Sequence, residues 1–259
     1  PRENLRALRS RPGRLPLGRA MAAFQRRTNA VEVIARAKKP LIYAGGGVIN
    51  SGPAASKLLN QFVKMTGAPC TLTLMGLGAF PASNAQFIGM VGMHGTYEAN
   101  LAMHDCDVMV CIGARFDDRV TGRLDAFSPG STKIHVDIDP SSINKNVRVD
   151  IPIIGDVGHV LEDMIKVWKG TQAKVDAKAL KAWWREVGAW RSVDCLKFKQ
   201  EGDIIKPQHC HRPVPFDLDL IRHPALLPRI LRSVSGGIPP REQGMVKAPS
   251  PTPAASKAH

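Results

Sequence analysis

The stretch Gly113-Ala114-Arg115-Phe116-Asp117-Asp118-Arg119, continued by Val120-Thr121-Gly122-Arg123, follows directly on Asp107-Val108-Met109-Val110-Cys111-Ile112. The preceding run has the length and residue types of a buried parallel strand. A glycine where that strand ends, then arginines and aspartates, puts charge at the carboxyl edge of an α/β sheet, where open sheets bind their ligands. Two readings of the charges compete. One is an intraloop salt-bridge network, which contributes little when exposed. The other gives Arg115 to a cofactor and Arg119 to a carboxylate, whose two oxygens match a guanidinium fork.

Working outward, strand-like runs alternate with helical ones. Leu41-Ile42-Tyr43-Ala44 leads into Gly45-Gly46-Gly47, and further strands are predicted at Cys70–Leu74, Phe87–Met90, Lys133–Asp137 and Ile151–Ile154. Asn29 is read as the cap of a helix through Ala37, and Ser51 as the cap of a second helix that carries Pro53 in its first turn and closes at Gly67. Helices are expected over Thr96–Met103, Val157–Trp168 and Ala177–Trp190. The alternation predicts an α/β fold with a doubly wound parallel sheet.

Upstream lie Ala44-Gly45-Gly46-Gly47-Val48-Ile49-Asn50-Ser51-Gly52, Thr73-Leu74-Met75-Gly76-Leu77-Gly78 and Gly92-Met93-His94-Gly95-Thr96-Tyr97-Glu98-Ala99-Asn100. Downstream lie His135-Val136-Asp137-Ile138-Asp139-Pro140 and Gly155-Asp156-Val157. Taken singly, each has a plain structural reading. The glycine triplet makes a flexible turn as readily as a phosphate approach, since it lacks the GxGxxG spacing. A lone histidine such as His94 is more often structural than a ligand, as is His104 in a helix. Asp139-Pro140 is a simple turn, and Asp156 a helix cap.

In their order, the six segments closely resemble the central domain of the acetolactate synthase (acetohydroxyacid synthase) large subunit, from about Pro40 to Lys206. The resemblance implies the flavin/dinucleotide-binding α/β domain of thiamine-diphosphate enzymes. It implies FAD contacts at Gly45, Gly46, Gly47, Thr73, Leu74 and Met75, and at Gly92, Met93, His94 and Gly95. It extends them to Gly113, Ala114, Arg115, Phe116, Asp117, Asp137, Ile138, Asp156 and Val157. Arg119, with Met93 and His94 at the active-site mouth, is implied to receive the second 2-oxo acid. The family condenses pyruvate with that acid on thiamine diphosphate and magnesium, in branched-chain amino-acid biosynthesis. Its large subunits form homo-oligomers and take a regulatory small subunit. The thiamine-activating glutamate and the Gly-Asp-Gly diphosphate motif belong to flanking domains, and no Gly-Asp-Gly occurs here. The expectation is a large-subunit fragment, inactive by itself, with no catalytic residue and no metal ligand of its own.

The chain carries a net charge of +14 over 259 residues, but residues 1–40 hold +9, 41–170 hold −2 and 171–259 hold +7. The mildly acidic middle argues against a nucleic-acid surface there. The five cysteines include no CxxC pair, and Cys70, Cys106 and Cys111 lie in or beside apolar runs. That usage suits a reducing cytoplasm, and no apolar run approaches the ~18 residues of a membrane span. The arginine-rich start lacks the serine enrichment of a transit peptide.

The expected organisation is a basic tail over 1–28, the FAD-binding domain over 29–170, a helical interdomain connection over 171–208, and a disordered tail over 209–259. Residues 209–259 hold nine prolines, a composition unable to offset its ordering entropy. The abrupt end of the resemblance at Gln208 matches what a reading-frame change leaves. His209-Cys210-His211 is not read as a metal site, because neighbours in an extended tail cannot close a zinc shell alone. Two alternatives stand beside the main reading. One is a non-catalytic dinucleotide-binding or interaction module with basic tails. The other is a decarboxylase-like central domain that has lost FAD, against which the Gly113–Arg119 and Gly92–Asn100 segments argue.

Overall fold

In the computed structural model, which describes residues 17–197 and 199, six strands form one all-parallel sheet in the order β3-β2-β1-β4-β5-β6. They are β1 (Pro40–Ala44), β2 (Cys70–Leu72), β3 (Phe87–Met90), β4 (Val108–Ile112), β5 (Thr132–Asp137) and β6 (Ile151–Ile154). The helices are α1 (Leu17–Arg36), α2 (Gly46–Asn50), α3 (Pro53–Thr66), α4 (Tyr97–Asp105), α5 (Asp118–Thr121), α6 (Val157–Gly170) and α7 (Ala177–Arg191). The expected doubly wound sheet is what the chain adopts.

Strand alternation divides the core into two layers. Ile42, Ala44, Val108, Val110 and Ile112 face the layer of α1, α3 and α6. Leu41, Tyr43, Met109 and Cys111 face the layer of α4 and α7. Central strands buried on both faces read as continuous apolar runs, which is why β1 and β4 were legible. In α3, Leu59, Phe62 and Val63 are fully buried, each burial contributing roughly 1.5–3 kcal/mol. The helix ends at Gly67 in the left-handed conformation, φ +68°.

Three local expectations are corrected. Asn29 does not start a helix: it lies inside α1, where its Oδ1 accepts from Gln25 Nε2 at 2.9 Å. Ser51 does not cap α3, whose N-cap is Gly52; the backbone first makes the short helix α2. β2 stops at Leu72, because Thr73 turns its side chain to accept from the Gly76 amide and opens a 3₁₀ turn over Leu74–Gly76.

Within residues 171–208, expected as a connection, α7 packs onto the sheet as part of the second layer. Trp183 and Val187 are buried there, and Trp183 Nε1 donates to the Pro40 carbonyl at 3.0 Å. Cys70, Cys106 and Cys111 are buried free thiols as expected, and burial pushes Cys106 up to about 11. Residues 1–16, the tail over 209–259 and His209-Cys210-His211 lie outside the described residues.

Candidate functional site

Because all six strands run the same way, the loops after each of them emerge at one edge. The strand order arranges these loops side by side as Gly92–Gly95, Thr73–Gly76, Gly45–Gly47, Gly113–Asp117, Asp137–Ile138 and Gly155–Val157. Chain order reverses between β1 and β4, so the Gly45 and Gly113 loops flank the topological switch point, where such sheets open a ligand crevice.

The two central loops meet backbone to backbone. A Cβ on Gly45 would stand 2.6 Å from the Gly113 carbonyl, and one on Gly47 2.6 Å from the Gly113 Cα. Gly45 and Gly47 amides donate to the carbonyls of Ile112 (3.0 Å) and Gly113 (2.8 Å). Gly45 and Gly47 therefore serve loop-to-loop contact, with their amides engaged within the protein, which is the turn that the triplet suggested as readily as a phosphate approach. Gly76 seats against the Ala44 carbonyl and Gly45 in the same way. It holds up Leu74 and Met75, which are 67% and 76% exposed.

Beyond Gly113 the loop alternates. Ala114 and Phe116 are buried, while the Arg115 side chain is exposed and pairs with Asp117 at 3.0 Å. The intraloop ion pair therefore exists, but exposure leaves the guanidinium free to exchange it for a stronger anion. Arg119, on α5, meets Asp118 only at 3.9 Å and is exposed as well.

Arg119 is also joined to the loop after β3. Its carbonyl accepts from the Met93 amide at 3.0 Å and would lie 2.8 Å from a Cβ on Gly92, which sits at φ +111°. The fold thus brings together Met93, His94 and Arg119, the three residues assigned to the second substrate. Asn100 was missed as a contributor. From α4 its Oδ1 accepts from the Gly92 amide at 2.9 Å, and its Nδ2 donates to the Gly92 carbonyl at 3.0 Å. An asparagine side chain matches both groups of one peptide residue, but nothing local in the sequence announces that use.

At the end of β5, Asp137 is buried and accepts from the Asp139 amide at 2.8 Å, while Asp139 caps the Pro140–Ser142 turn as expected. The hydroxyl and amide of Ser141 hold the Asp139 carboxyl below its ordinary value. Asp156 caps α6, its Oδ1 accepting from Gly158, His159 and Ser51 Oγ. Ser51 therefore supports a helix far away in sequence rather than its own. Among the described residues no group of three or more His, Cys, Asp or Glu could hold a metal ion. A shallow hollow lined by Lys57, Asn60, Gln61, Lys64 and Met65 of α3 includes none of the loop residues above.

His135 lies beneath the site, fully buried, its Nε2 2.9 Å from the Ala114 carbonyl and 3.7 Å from Asp137 Oδ2. The carbonyl can only accept, so Nε2–H donates to it, which leaves Nδ1 as a bare acceptor with no hydrogen-bond partner among the described residues. Burial lowers the His135 pKa below 6.5, outweighing the Ala114 hydrogen bond and the Asp137 charge, both of which raise it. A folded value below the unfolded one means that protonation opposes folding. The contribution is complete above about pH 6.5 and is lost as pH falls below it, toward the lowered folded pKa. Urea denaturation at about pH 7.5 and about pH 5.5 should show a loss of stability on acidification that His135→Gln reduces. An identical acid loss in both proteins would assign it to other groups.

The edge is also apolar. Met93 is 64% exposed in the loop next to that of Leu74 and Met75, and Ile138 is 67% exposed farther along the edge, after β5. Large side chains exposed together mark surfaces that a ligand or partner covers. No helix among the described residues is long and apolar enough to cross a membrane.

Residues 27–164, more than half of the chain, match the family model described as thiamine pyrophosphate enzyme, central domain. The chain is 48% identical over 179 residues to the acetolactate synthase large subunit of Buchnera aphidicola, a match covering 69% of this chain and 30% of that protein. It is 45% identical over 179 residues to the acetolactate synthase isozyme 3 large subunit of Escherichia coli, covering 69% and 31%. The acetolactate synthase of Mycobacterium avium is 41% identical over 174 residues, covering 66% and 27%. The chain thus spans about a third of the length of the relatives it matches. With its sheet order, edge loops and matched residues in agreement, the chain belongs to the thiamine pyrophosphate enzyme central-domain family.

Proposed function

We propose that this chain provides the FAD-binding face, and part of the second-substrate site, of an acetolactate synthase large subunit. The observation that carries the reading is the set of loops gathered at the carboxyl edge around the β1/β4 switch point. It combines a wall of touching glycines, the exposed Arg115, the buried Asp137 carboxylate and the exposed apolar side chains of Leu74, Met75, Met93 and Ile138. A flavin dinucleotide needs those features together: apolar contacts for its ring, a cation for its diphosphate, and an acceptor for its hydroxyls.

When bound, FAD supplies an apolar ring and an anionic diphosphate to be recognised, and the condensation itself has no net redox change. Gly45, Gly46 and Gly47 admit the ligand close to the backbone, and Gly113 sets the turn that presents Arg115. Leu74, Met75 and Met93 would cover its ring, while Asp137 would accept from ribityl or ribose hydroxyls with Ile138 next to it in the chain. Asp156 and Val157 would add a contact at the last loop of the edge. Arg119, beside Met93 and His94, offers two of its N–H donors to the carboxylate of a 2-oxo acid and fixes which end of that substrate faces the reaction. Thiamine diphosphate supplies the carbanion chemistry of the family. No described residue is assigned to it or to magnesium, and this chain alone is expected to form no acetolactate. A homo-oligomer and a regulatory small subunit are proposed partners on the same grounds as the activity.

Absorbance of the purified chain with added FAD tests the cofactor, and two variants test the division of roles. Arg115→Ala should weaken FAD binding by about 1.5–3 kcal/mol, the loss of one charge-assisted hydrogen bond. Arg119→Ala should leave it nearly unchanged. Equal weakening would merge the two roles, and tighter binding of a nicotinamide dinucleotide than of FAD would favour the non-catalytic dinucleotide module.

A further inference from the structure

The segment from Ala114 to Asp117 has no regular secondary structure, yet it carries Arg115. Three successive carbonyls in it are held by side chains from separate parts of the fold. The Ala114 carbonyl accepts from His135 Nε2 of β5 at 2.9 Å and from Cys111 Sγ at 3.0 Å. The Arg115 carbonyl accepts from the Tyr43 hydroxyl of β1 at 3.3 Å. The Phe116 carbonyl accepts from Asn146 Nδ2, in the loop between β5 and β6, at 2.6 Å. The Phe116 ring is wedged among Tyr43, Phe127 and His135, with centroids 6.0, 5.8 and 5.0 Å away.

We propose that Asn146, Tyr43 and His135 are positioning residues for Arg115, fixing its loop before any ligand arrives. Every backbone acceptor around Arg115 is occupied from the protein side, and its two neighbours are anchored in the core. Only the guanidinium stem retains freedom. Loop order is then established during folding, and binding does not lose affinity to loop ordering. Sheet register alone could not do this, because the loop makes no ladder with a neighbouring strand. The inference rests on the assignment of Arg115 to FAD.

Asn146 gives the cleanest test, since it is exposed and its removal leaves the core intact. FAD titrations would compare the full wild-type chain with Asn146→Ala, Asn146→Asp, Arg115→Ala and the double variant Asn146→Ala/Arg115→Ala, each checked for an unchanged melting temperature. Asn146→Ala should raise the FAD Kd about 3–10-fold, as expected for one hydrogen bond. Asn146→Asp, which turns an acceptor toward the Phe116 carbonyl, should raise it at least as much. The double variant should bind within about two-fold of Arg115→Ala, because Asn146 acts through that side chain. Wild-type affinity in both Asn146 variants, or effects that multiply in the double variant, would overturn the proposal alone. A wild-type chain that binds no FAD would overturn the cofactor assignment, and the proposal with it.

Discussion

Replacing Gly113 by valine should cost roughly 2–6 kcal/mol of folding stability and eliminate FAD binding. Two separate penalties add at this position. Gly113 sits at φ +58°, where a β-branched residue is strained, by about 1–3 kcal/mol. A Cβ there would also lie 2.8 Å from the Gly47 Cα and 3.0 Å from Val157 Cγ2. Relief requires moving the backbone of the neighbouring loop, an overpacking penalty of about 1–3 kcal/mol. The same movement would part the two switch-point loops and swing Arg115 away from its supports. Urea unfolding followed by tryptophan fluorescence, with FAD titration of the folded fraction, reads both effects. A variant within about 1 kcal/mol of wild type that still bound FAD would show that the two loops do not need their close contact. Gly113→Ala, with the strain but less bulk, should fall between.

Trp183→Ala should be the most damaging single truncation outside the site, at about 3–5 kcal/mol. Trp183 is 1% exposed and holds α7 to the sheet in two ways. Its Nε1 donates to the Pro40 carbonyl at 3.0 Å and the Lys39 ammonium lies over its ring at 5.2 Å, while within α7 the ring meets Trp190 edge-on at 5.6 Å. Truncation removes the ring and leaves the start of β1 without that donor. Trp183→Phe keeps most of the packing and should lose only about 1–2 kcal/mol, mainly the hydrogen bond. Unfolding midpoints of the two variants give the comparison. Near-wild-type stability of Trp183→Ala would mean that α7 is only a connection and not a layer of the domain.

Arg115 and Asp117 illustrate why a local motif could point to a site without resolving it. Strand, glycine and charge in succession placed both residues at the carboxyl edge correctly. The same charges then formed the exposed ion pair that the plainer reading called for. Asp156 is similar: its sequence position matched a cap, and a cap is what its Oδ1 makes. Neither outcome removes a ligand role, because exposed pairs exchange partners at small cost.

Most of the strands and helices, and the loops that stand at the carboxyl edge, were legible in the sequence. Both are encoded locally, in continuous apolar runs for buried strands, in caps such as Thr96 and Asp156, and in glycine at Gly67. Only the tertiary structure decided the strand order, the closure of Gly45 and Gly47 on Gly113, the pairing of Ser51 with Asp156 and the burial of α7. It alone exposed Asn100, His135 and Asn146 as supports. Each of those contacts joins a side chain to a backbone group distant in the chain. A carbonyl has the same chemistry in every residue, so the acceptor leaves no mark in the sequence, and the donor becomes meaningful only once folding has brought the two together.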